Sequence, residues 1–381
     1  MLLAIVSLAS IGKVVTFLIM LSILIVLHEY GHFIVARRSG VRVNEFALGM
    51  GPKILGWTSP RSGTQYSVRA LPIGGYCAME GEDGKTTQAE QQREFREVAP
   101  REGSAANVNF QAKGPWKRLA IVLAGPVANF ILAYAILLVG AMAFGIPSDR
   151  IDRALVSFVM DGSPAAKHGL RPGDQIVSVR VGGAAVTDAN ALVSTIHASL
   201  GKVIDVTYAR SGIANTIHVA PEACPQNKKW GCIGFSPAPA FERVGIGHAV
   251  AYSGREYADI ADETFSSLGL LVTHFTKYAG QISGPVGMGQ AAGVIQDFGW
   301  GPYLVLAATI SFALGLFNLL PIPALDGGRG AFIIAELVRG KPVDPDKEAL
   351  VHIAGFATLM ALMLLIAFHD IARIVSGQGV F

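Results

Sequence analysis

The sequence predicts a polytopic α-helical membrane protein with four transmembrane helices, a membrane-associated cytosolic β element and one outer domain of α+β type. Three observations carry that expectation. The 381-residue chain is 51% hydrophobic, with a mean hydropathy of +0.44, and only 15% of its residues are charged, against about 25% in soluble domains. No Asp, Glu, Lys or Arg occurs at 119–148 or at 298–325, and each run exceeds the roughly 20 residues that cross a bilayer's hydrocarbon core. Between the apolar runs lie polar stretches with strand-like alternation and Gly/Pro punctuation. A net charge of +3 without a Lys/Arg run of five excludes nucleic acid as a partner; the lipid bilayer is the partner that composition implies.

Residues 1–38 hold the first span, from 14 to about 37, interrupted near its end by His28 and Glu29. Its apolar stretch is too long for a signal peptide and Arg37-Arg38 follow in place of a small-residue cleavage site, so it reads as a retained helix. Residues 39–116 contain short β-type runs, Val41-Arg42-Val43 and Tyr66-Ser67-Val68-Arg69, expected to form a small antiparallel sheet against the membrane. A polar stretch at 81–113 reads as a mobile loop. The second span falls at 117–147.

Residues 148–240 carry Ser163-Pro164, a short helix, Gly169, then Pro172-Gly173-Asp174 and alternating strands such as Val203-Ile204-Asp205-Val206. Pro opens the helix and Gly closes it. At 241–297, apolar residues at helical spacing (Ile246, Val250, Tyr257, Ile260, Phe265, Leu268, Val272, Phe275) predict an amphipathic helix. The third span lies at 298–328, and residues 329–381 hold a cytosolic loop and the fourth span, 349–368, interrupted only by His352.

Lys and Arg set the orientation. Arg37, Arg38, Arg42, Lys53, Arg101, Lys113, Lys117, Arg118, Arg329, Arg339, Lys341 and Lys347 flank one side, against Lys13, Arg150, Arg153 and Arg373 on the other. The first side is therefore cytosolic, and both termini face outward. Cys224 and Cys232 then lie outside, where a disulfide could form, while Cys77 is alone on the reducing side.

The chemistry begins at His28-Glu29-Tyr30-Gly31-His32. On a helix, positions i and i+4 share a face, so both imidazoles can bind one Zn²⁺ while Glu29 meets a water beside it. A charged residue deep in a span costs on the order of 2–3 kcal/mol, which makes intramembrane ionisable groups functional candidates. The bland alternative is a pair of interfacial histidines with a snorkelling glutamate. A catalytic zinc needs three protein ligands and one open position. The extended H-E-x-x-H-x-x-G-x-x-H pattern would require His where Arg38 stands, so that class is excluded.

The next candidate ends the third span, in Asn318-Leu319-Leu320-Pro321-Ile322-Pro323-Ala324-Leu325-Asp326-Gly327-Gly328. Two prolines break the helix there, and freed backbone is tolerated at membrane depth only beside protein or a water cavity. Asp326 is the first acid after the apolar run. Spans one and three run in the same direction, so the His pair and Asp326 reach similar depth. A turn-forming Asp before Gly-Gly is its alternative reading. Asn129 and Asn318, polar groups in apolar spans, could hold an unwound substrate or an oxyanion; helix-to-helix hydrogen bonding is their equal alternative. His168, His197, His218, His248 and His274 are predicted outside and read as structural, and His352 as interfacial.

Through these residues the sequence resembles the intramembrane site-2 zinc metalloproteases, in their bacterial branch typified by the regulator of sigma-E protease. The resemblance covers nearly the whole chain: the His28–His32 motif, Gly125-Pro126-Val127-Ala128-Asn129-Phe130, a PDZ domain over about 155–222, Ser283-Gly284-Pro285-Val286-Gly287, and the run from Asn318 to Gly328. It implies Asp326 as third zinc ligand and Glu29 as general base. It also implies that Leu71-Pro72-Ile73-Gly74-Gly75-Tyr76 belongs to a membrane-dipping β element whose edge, at Gly74, Gly75 and Tyr76, pairs with substrate. The expected substrates are single-pass transmembrane proteins, such as anti-sigma factors or remnant signal peptides already cut once, in a bacterial inner membrane, with a peptide or substrate tail at the PDZ domain. A single PDZ domain departs from the enterobacterial member's two. An inactive PDZ-bearing adaptor and, less favoured, a transporter are the alternatives; Glu29→Gln separates them.

Overall fold

The computed structural model describes residues 8–82, 108–160, 162–210, 212–224, 227–278 and 284–375; most of the loop expected at 81–113 lies outside the described residues. In chain order the helices are α1 (Leu8–Arg38), α2 (Pro115–Phe144), α3 (Pro164–Lys167), α4 (Ala189–His197), α5 (Ile246–Thr273), α6 (Phe275–Tyr278), α7 (Pro285–Ile295), α8 (Trp300–Leu319), α9 (Asp326–Arg339) and α10 (Pro345–Val375). The strands are β1 (Val43–Thr58), β2 (Gln65–Met79), β3 (Ile146–Val159), β4 (Gln175–Val181), β5 (Ala184–Val186), β6 (Ile204–Arg210), β7 (Ile213–Val219), β8 (Glu222–Ala223), β9 (Gly231–Cys232) and β10 (Phe235–Glu242). Among the described residues, four helical stretches are long and apolar enough to cross a membrane: Gly12–Arg38, Pro115–Phe144, Trp300–Leu319 and Asp346–Arg373. The chain divides into two compact units, Met1–Ile136 with Glu256–Ala291 and Ala307–Phe381, and Leu137–Arg255 with Ala292–Leu306.

In the first unit α1 and α2 approach closely. A Cβ on Gly31 would stand 2.4 Å from the Ala124 carbonyl oxygen and 2.7 Å from Ala128 Cβ, the small-residue contact that lets membrane helices touch through their backbones. Helix α8 packs on α2 by the same device: a Cβ on Gly315 would lie 3.0 Å from the Pro126 oxygen and 3.3 Å from Asn129 Cβ. Helix α9 is tied down by partly buried ion pairs, Arg118 with Glu336 at 2.5 Å and Arg329 with Glu82. Asp370, buried in α10, accepts the Gly287 N–H at 2.9 Å and so caps the N-terminus of α7.

Strands β1 and β2 are longer than the short runs at 41–43 and 66–69 predicted, and they fold over. Residues 45–48 pair with 75–78 on one side and with 65–68 on the other, while 55–58 pair back onto 65–68. The outer edge of 75–79 has no strand partner among the described residues. Aromatic rings fix this ribbon to α1, with Phe33 and Phe46 centroids 5.2 Å apart and Phe33 and Tyr66 6.1 Å apart, over a core that includes Val41, Val43, Cys77 and Met79. Its tip exposes Leu48, Met50, Ile54, Leu55 and Leu71, more contiguous apolar surface than water-soluble loops tolerate.

Between the strands, Glu45 accepts hydrogen bonds from Ser67, from Tyr76 at 2.6 Å and from Arg69 at 2.8 and 2.9 Å. Burial alone would raise the Glu45 carboxyl; the bonds from Ser67, Tyr76 and Arg69 and the Arg69 charge outweigh it and hold the group below the usual carboxylate range. A depressed folded value confers stability that is complete above the unfolded value of about 4.3 and is lost as pH falls toward the folded one. Acidification from about pH 5 to about pH 3 is therefore expected to lower the amide protection factors, that is, exchange corrected for its intrinsic pH dependence, across 43–79 in the intact chain, and Glu45→Gln to remove most of that loss. Wild-type protection factors that are flat over this range would contradict the assignment.

The second unit is built on a six-stranded antiparallel sheet, ordered β10-β3-β4-β6-β7 with β5 beside β4. Alternating side chains of the strands (Val156, Ile176, Val179, Ile204, Val206) pack with Leu192 and Ile196 of α4. Ser163 caps α3, with Pro164 at its first position, and Asp188 caps α4. The Pro172-Gly173-Asp174 turn is held by Asp174, which is buried, accepts the Arg171 N–H at 2.7 Å and takes two bonds from the Arg210 guanidinium at 2.7 Å. Cys224 and Cys232 form a disulfide across β8 and β9.

Several boundaries differ from expectation. Helix α2 stops at Phe144, short of 147, because Gly145 turns the chain at φ 94 beside the Glu242 carbonyl, so β3 begins at Ile146, before 148. Helix α10 extends beyond 349–368 at both ends. The predicted stripe of α5 is largely not its buried face: Ile246, Val250, Phe265, Val272 and Phe275 are exposed, whereas Ala249, Ser253 and Ile260 are buried. Small residues allow closer packing than bulky ones, so the apolar stripe is turned outward.

Candidate metal centre

The His pair sits about two to three turns before the end of α1, where the two rings share a face by helical periodicity. His28 and His32 are buried at 7% and 6% exposure, and their Nε2 atoms lie 3.2 Å apart. The third group arrives from the broken end of α8. Pro321 and Pro323 cannot donate to a continuing helix; instead Leu320 N–H bonds to Phe317, Ile322 to Leu320 and Leu325 to Ile322, and the chain resumes as α9 at Asp326. Gly327 and Gly328 are required by this reversal: a Cβ on Gly327 would be 2.2 Å from the Leu320 oxygen, and one on Gly328 2.4 Å from the Ile322 oxygen. The turn delivers Asp326 Oδ2 to 3.0 Å from His28 Nε2 and 3.2 Å from His32 Nε2.

Three heteroatoms about 3 Å apart are what one tetrahedral cation would collect: zinc–ligand bonds of about 2.0–2.1 Å imply ligand separations of about 3.3 Å. The outer ring nitrogens agree with that use. His32 Nδ1 donates to the Ile121 carbonyl at 2.8 Å, which leaves the lone pair on Nε2. His28 Nδ1 lies 3.2 Å from Asn129 Nδ2, and Asn129 Oδ1 is buried without a partner among the described residues; turning the amide over would give Oδ1 an Nδ1–H to accept and leave the lone pair on Nε2, the state that metal binding requires. Gly125 of α2 keeps the space open, since a Cβ there would stand 2.2 Å from His32 Nε2 and 2.7 Å from His28 Nε2. The donor set and the cradle both fit a zinc ion. A second cluster, His197 with Cys224 and Cys232, offers no thiolates, because the cysteines are bonded to each other.

Glu29 is half-buried beside the pair and within electrostatic range of His28, His32 and Asp326. Asn129 is fully buried, its side-chain amide faces His28, and its backbone carbonyl accepts from Ser311 Oγ at 2.9 Å, contacts that match the helix-to-helix hydrogen bonding expected as one of its two readings. Asn318 donates to the Leu314 carbonyl at 2.9 Å, one turn back in α8. Gly74 takes φ 80 at the ribbon's turn, and Gly75 runs against α1, where a Cβ would lie 3.3 Å from Val26 Cγ2. The Tyr76 phenol is spent on Glu45, so what Tyr76 can present is its backbone. The sequence offers no signal for the Ile121 carbonyl as a ring acceptor, and Gly125 is visible in it only as part of a motif.

The profile of peptidase family M50 matches residues 16–362. The chain is 31% identical to "Zinc metalloprotease RasP" of Bacillus licheniformis over 95% of its length and 99% of the relative's. It is 32% identical to "Regulator of sigma-W protease RasP" of Bacillus subtilis over 96% and 99%. Another "Zinc metalloprotease RasP", from Oceanobacillus iheyensis, is 30% identical over 95% and 99%.

Proposed function

The chain belongs to peptidase family M50 and is a zinc metalloprotease, and from that premise we propose that it hydrolyses peptide bonds inside the membrane, within the apolar segments of single-pass proteins. The observation that carries this reading is the meeting of His28, His32 and Asp326 at the ends of apolar helices. In this reading those three residues hold the zinc ion. Bound zinc supplies Lewis acidity, which lowers a water's pKa from 15.7 toward about 7 and polarises the scissile carbonyl. Glu29 takes the proton of the attacking water and passes it to the leaving nitrogen. Asn129 and the Ile121 carbonyl orient the two imidazoles.

A helical substrate must unwind before its carbonyls are reachable. The edge of 75–79, which has no strand partner among the described residues and runs past Val26 just before His28, supports a role in pairing with the unwound strand, with Gly74 and Gly75 admitting it closely and Tyr76 contributing backbone. Asn318, where α8 breaks, is assigned to the same extended segment. We read the second unit as a PDZ domain on the outer face that meets the tail left by an earlier cut, with both termini outside and the zinc near the cytosolic face of a bacterial inner membrane. Substrates of this kind include anti-sigma factors and remnant signal peptides; the name of the Bacillus subtilis relative ties that relative to sigma-W.

The test uses the purified chain in lipid vesicles with a tagged single-pass protein whose outer domain has been shortened. A smaller product is expected, abolished by a zinc chelator and restored by added zinc. Cleavage that continues undiminished in chelator would remove the metal from the reaction.

A further inference from the structure

The turn that carries Asp326 is not held by its own helices alone. Ala324, two residues before the aspartate, has φ 77, a left-handed conformation that costs a residue with a Cβ and persists only where surroundings impose it. Its N–H donates to His352 Nδ1 at 2.9 Å, across from α10. One turn further along α10, Gly355 meets the same segment: a Cβ there would lie 2.4 Å from Pro323 Cβ and 2.9 Å from the Pro323 carbonyl oxygen. The His352 ring also leans on Phe332 of α9, centroids 5.7 Å apart. Beyond these contacts α10 is largely uncovered, and its most apolar stretch contains no buried residue. The helix therefore touches the ligand turn at His352 and Gly355 and stands exposed along most of its remaining length.

The state of the imidazole follows from the bond. Because Nδ1 accepts a backbone N–H, the ring proton sits on Nε2, and Nε2 is buried without a hydrogen-bond partner among the described residues. A leucine would leave no such orphan, but it would strip the Ala324 N–H of its acceptor and release the strained turn. We propose that His352 is a positioning residue for the third metal ligand: by accepting the Ala324 N–H it fixes the left-handed turn that aims Asp326 at His28 and His32, so that the fourth span controls how firmly zinc is held. The inference rests on the metal reading above and concerns a residue outside the ligand set.

The test measures zinc loss to a chromogenic chelator from the purified, zinc-loaded full chain, together with its thermal melting. His352→Leu is expected to lose zinc about tenfold faster with unchanged melting, and His352→Asn, whose Oδ1 can replace Nδ1 as acceptor, to stay within about twofold of wild type. If His352→Leu does not fold, His352→Phe, which keeps a ring without an acceptor, takes its place with the same expectation. Wild-type retention in the Leu or Phe variant, or loss from the Asn variant as fast as from Leu, would overturn the proposal. A wild-type chain that binds no zinc at all would overturn the metal reading and this inference with it.

Discussion

Glu29→Gln is expected to lower cleavage of a single-pass substrate by about 10²–10⁴-fold while leaving zinc bound at the wild-type level. The amide keeps the shape of the carboxylate but cannot take a proton, and general-base catalysis contributes that range. In barrier terms the loss is about 3–5 kcal/mol. The metal should stay because the ligands proposed for it, the imidazoles of His28 and His32 and the Asp326 carboxylate, lie within 3.2 Å of one another without Glu29. The measurement is kcat/KM against a tagged substrate in vesicles, paired with metal analysis of the same preparation. A variant that cleaves at a tenth of the wild-type rate or better would remove Glu29 as the base. The same comparison separates an enzyme from an adaptor or carrier, whose function would survive the substitution.

Gly125→Ala is expected to weaken zinc binding at least about 100-fold, a larger effect than typical losses from outer-shell changes, and to abolish cleavage with it. The added methyl would stand 2.2 Å from His32 Nε2 and 2.7 Å from His28 Nε2. Restoring an ordinary contact of about 3.4 Å needs a shift of more than about 1 Å, whereas metal–ligand distances tolerate about 0.2 Å. Parting the helices to make room would open the close backbone contact that Gly31 of α1 makes with the Ala124 carbonyl. Intrinsic propensity works the other way, since Ala is better than Gly in a helix by about 1 kcal/mol. Gly12→Ala, in open space on α1, is the control. Zinc titration of both variants decides the matter: equal affinity in Gly125→Ala and wild type would place the metal elsewhere.

The cluster of His28, His32 and Asp326 was legible in the sequence because each of its parts carries a local signal. Positions 28 and 32 share a helical face by periodicity alone, and Asp326 stands out as the first acid after a long apolar run broken by two prolines. What orients those parts was not legible. The Ile121 carbonyl and the open space at Gly125 depend on how closely α1 and α2 approach, and His352 reaches Ala324 only after α8, α9 and α10 have folded back on one another. Asn129 reads in sequence as a polar group free to meet substrate, yet packing turns it onto His28. The ribbon of β1 and β2 escaped the short-run reading because its strands pair twice along their length, with register shifts that no alternation of apolar residues encodes. In α5 the pattern of large apolar residues was real, but of the stripe's large residues Ile260 joins Ala249 and Ser253 on the buried face while Ile246, Val250, Phe265 and Val272 stay exposed, as packing through small side chains allows.

The most direct test of an intramembrane zinc protease is the position of the cut. Wild-type chain and Glu29→Gln are reconstituted in vesicles with a single-pass protein lacking most of its outer domain, and the products are weighed by mass spectrometry. The expected result is a new terminus inside the substrate's apolar segment, formed by the wild-type chain only. A terminus outside that segment, or the same product from Glu29→Gln, would contradict it.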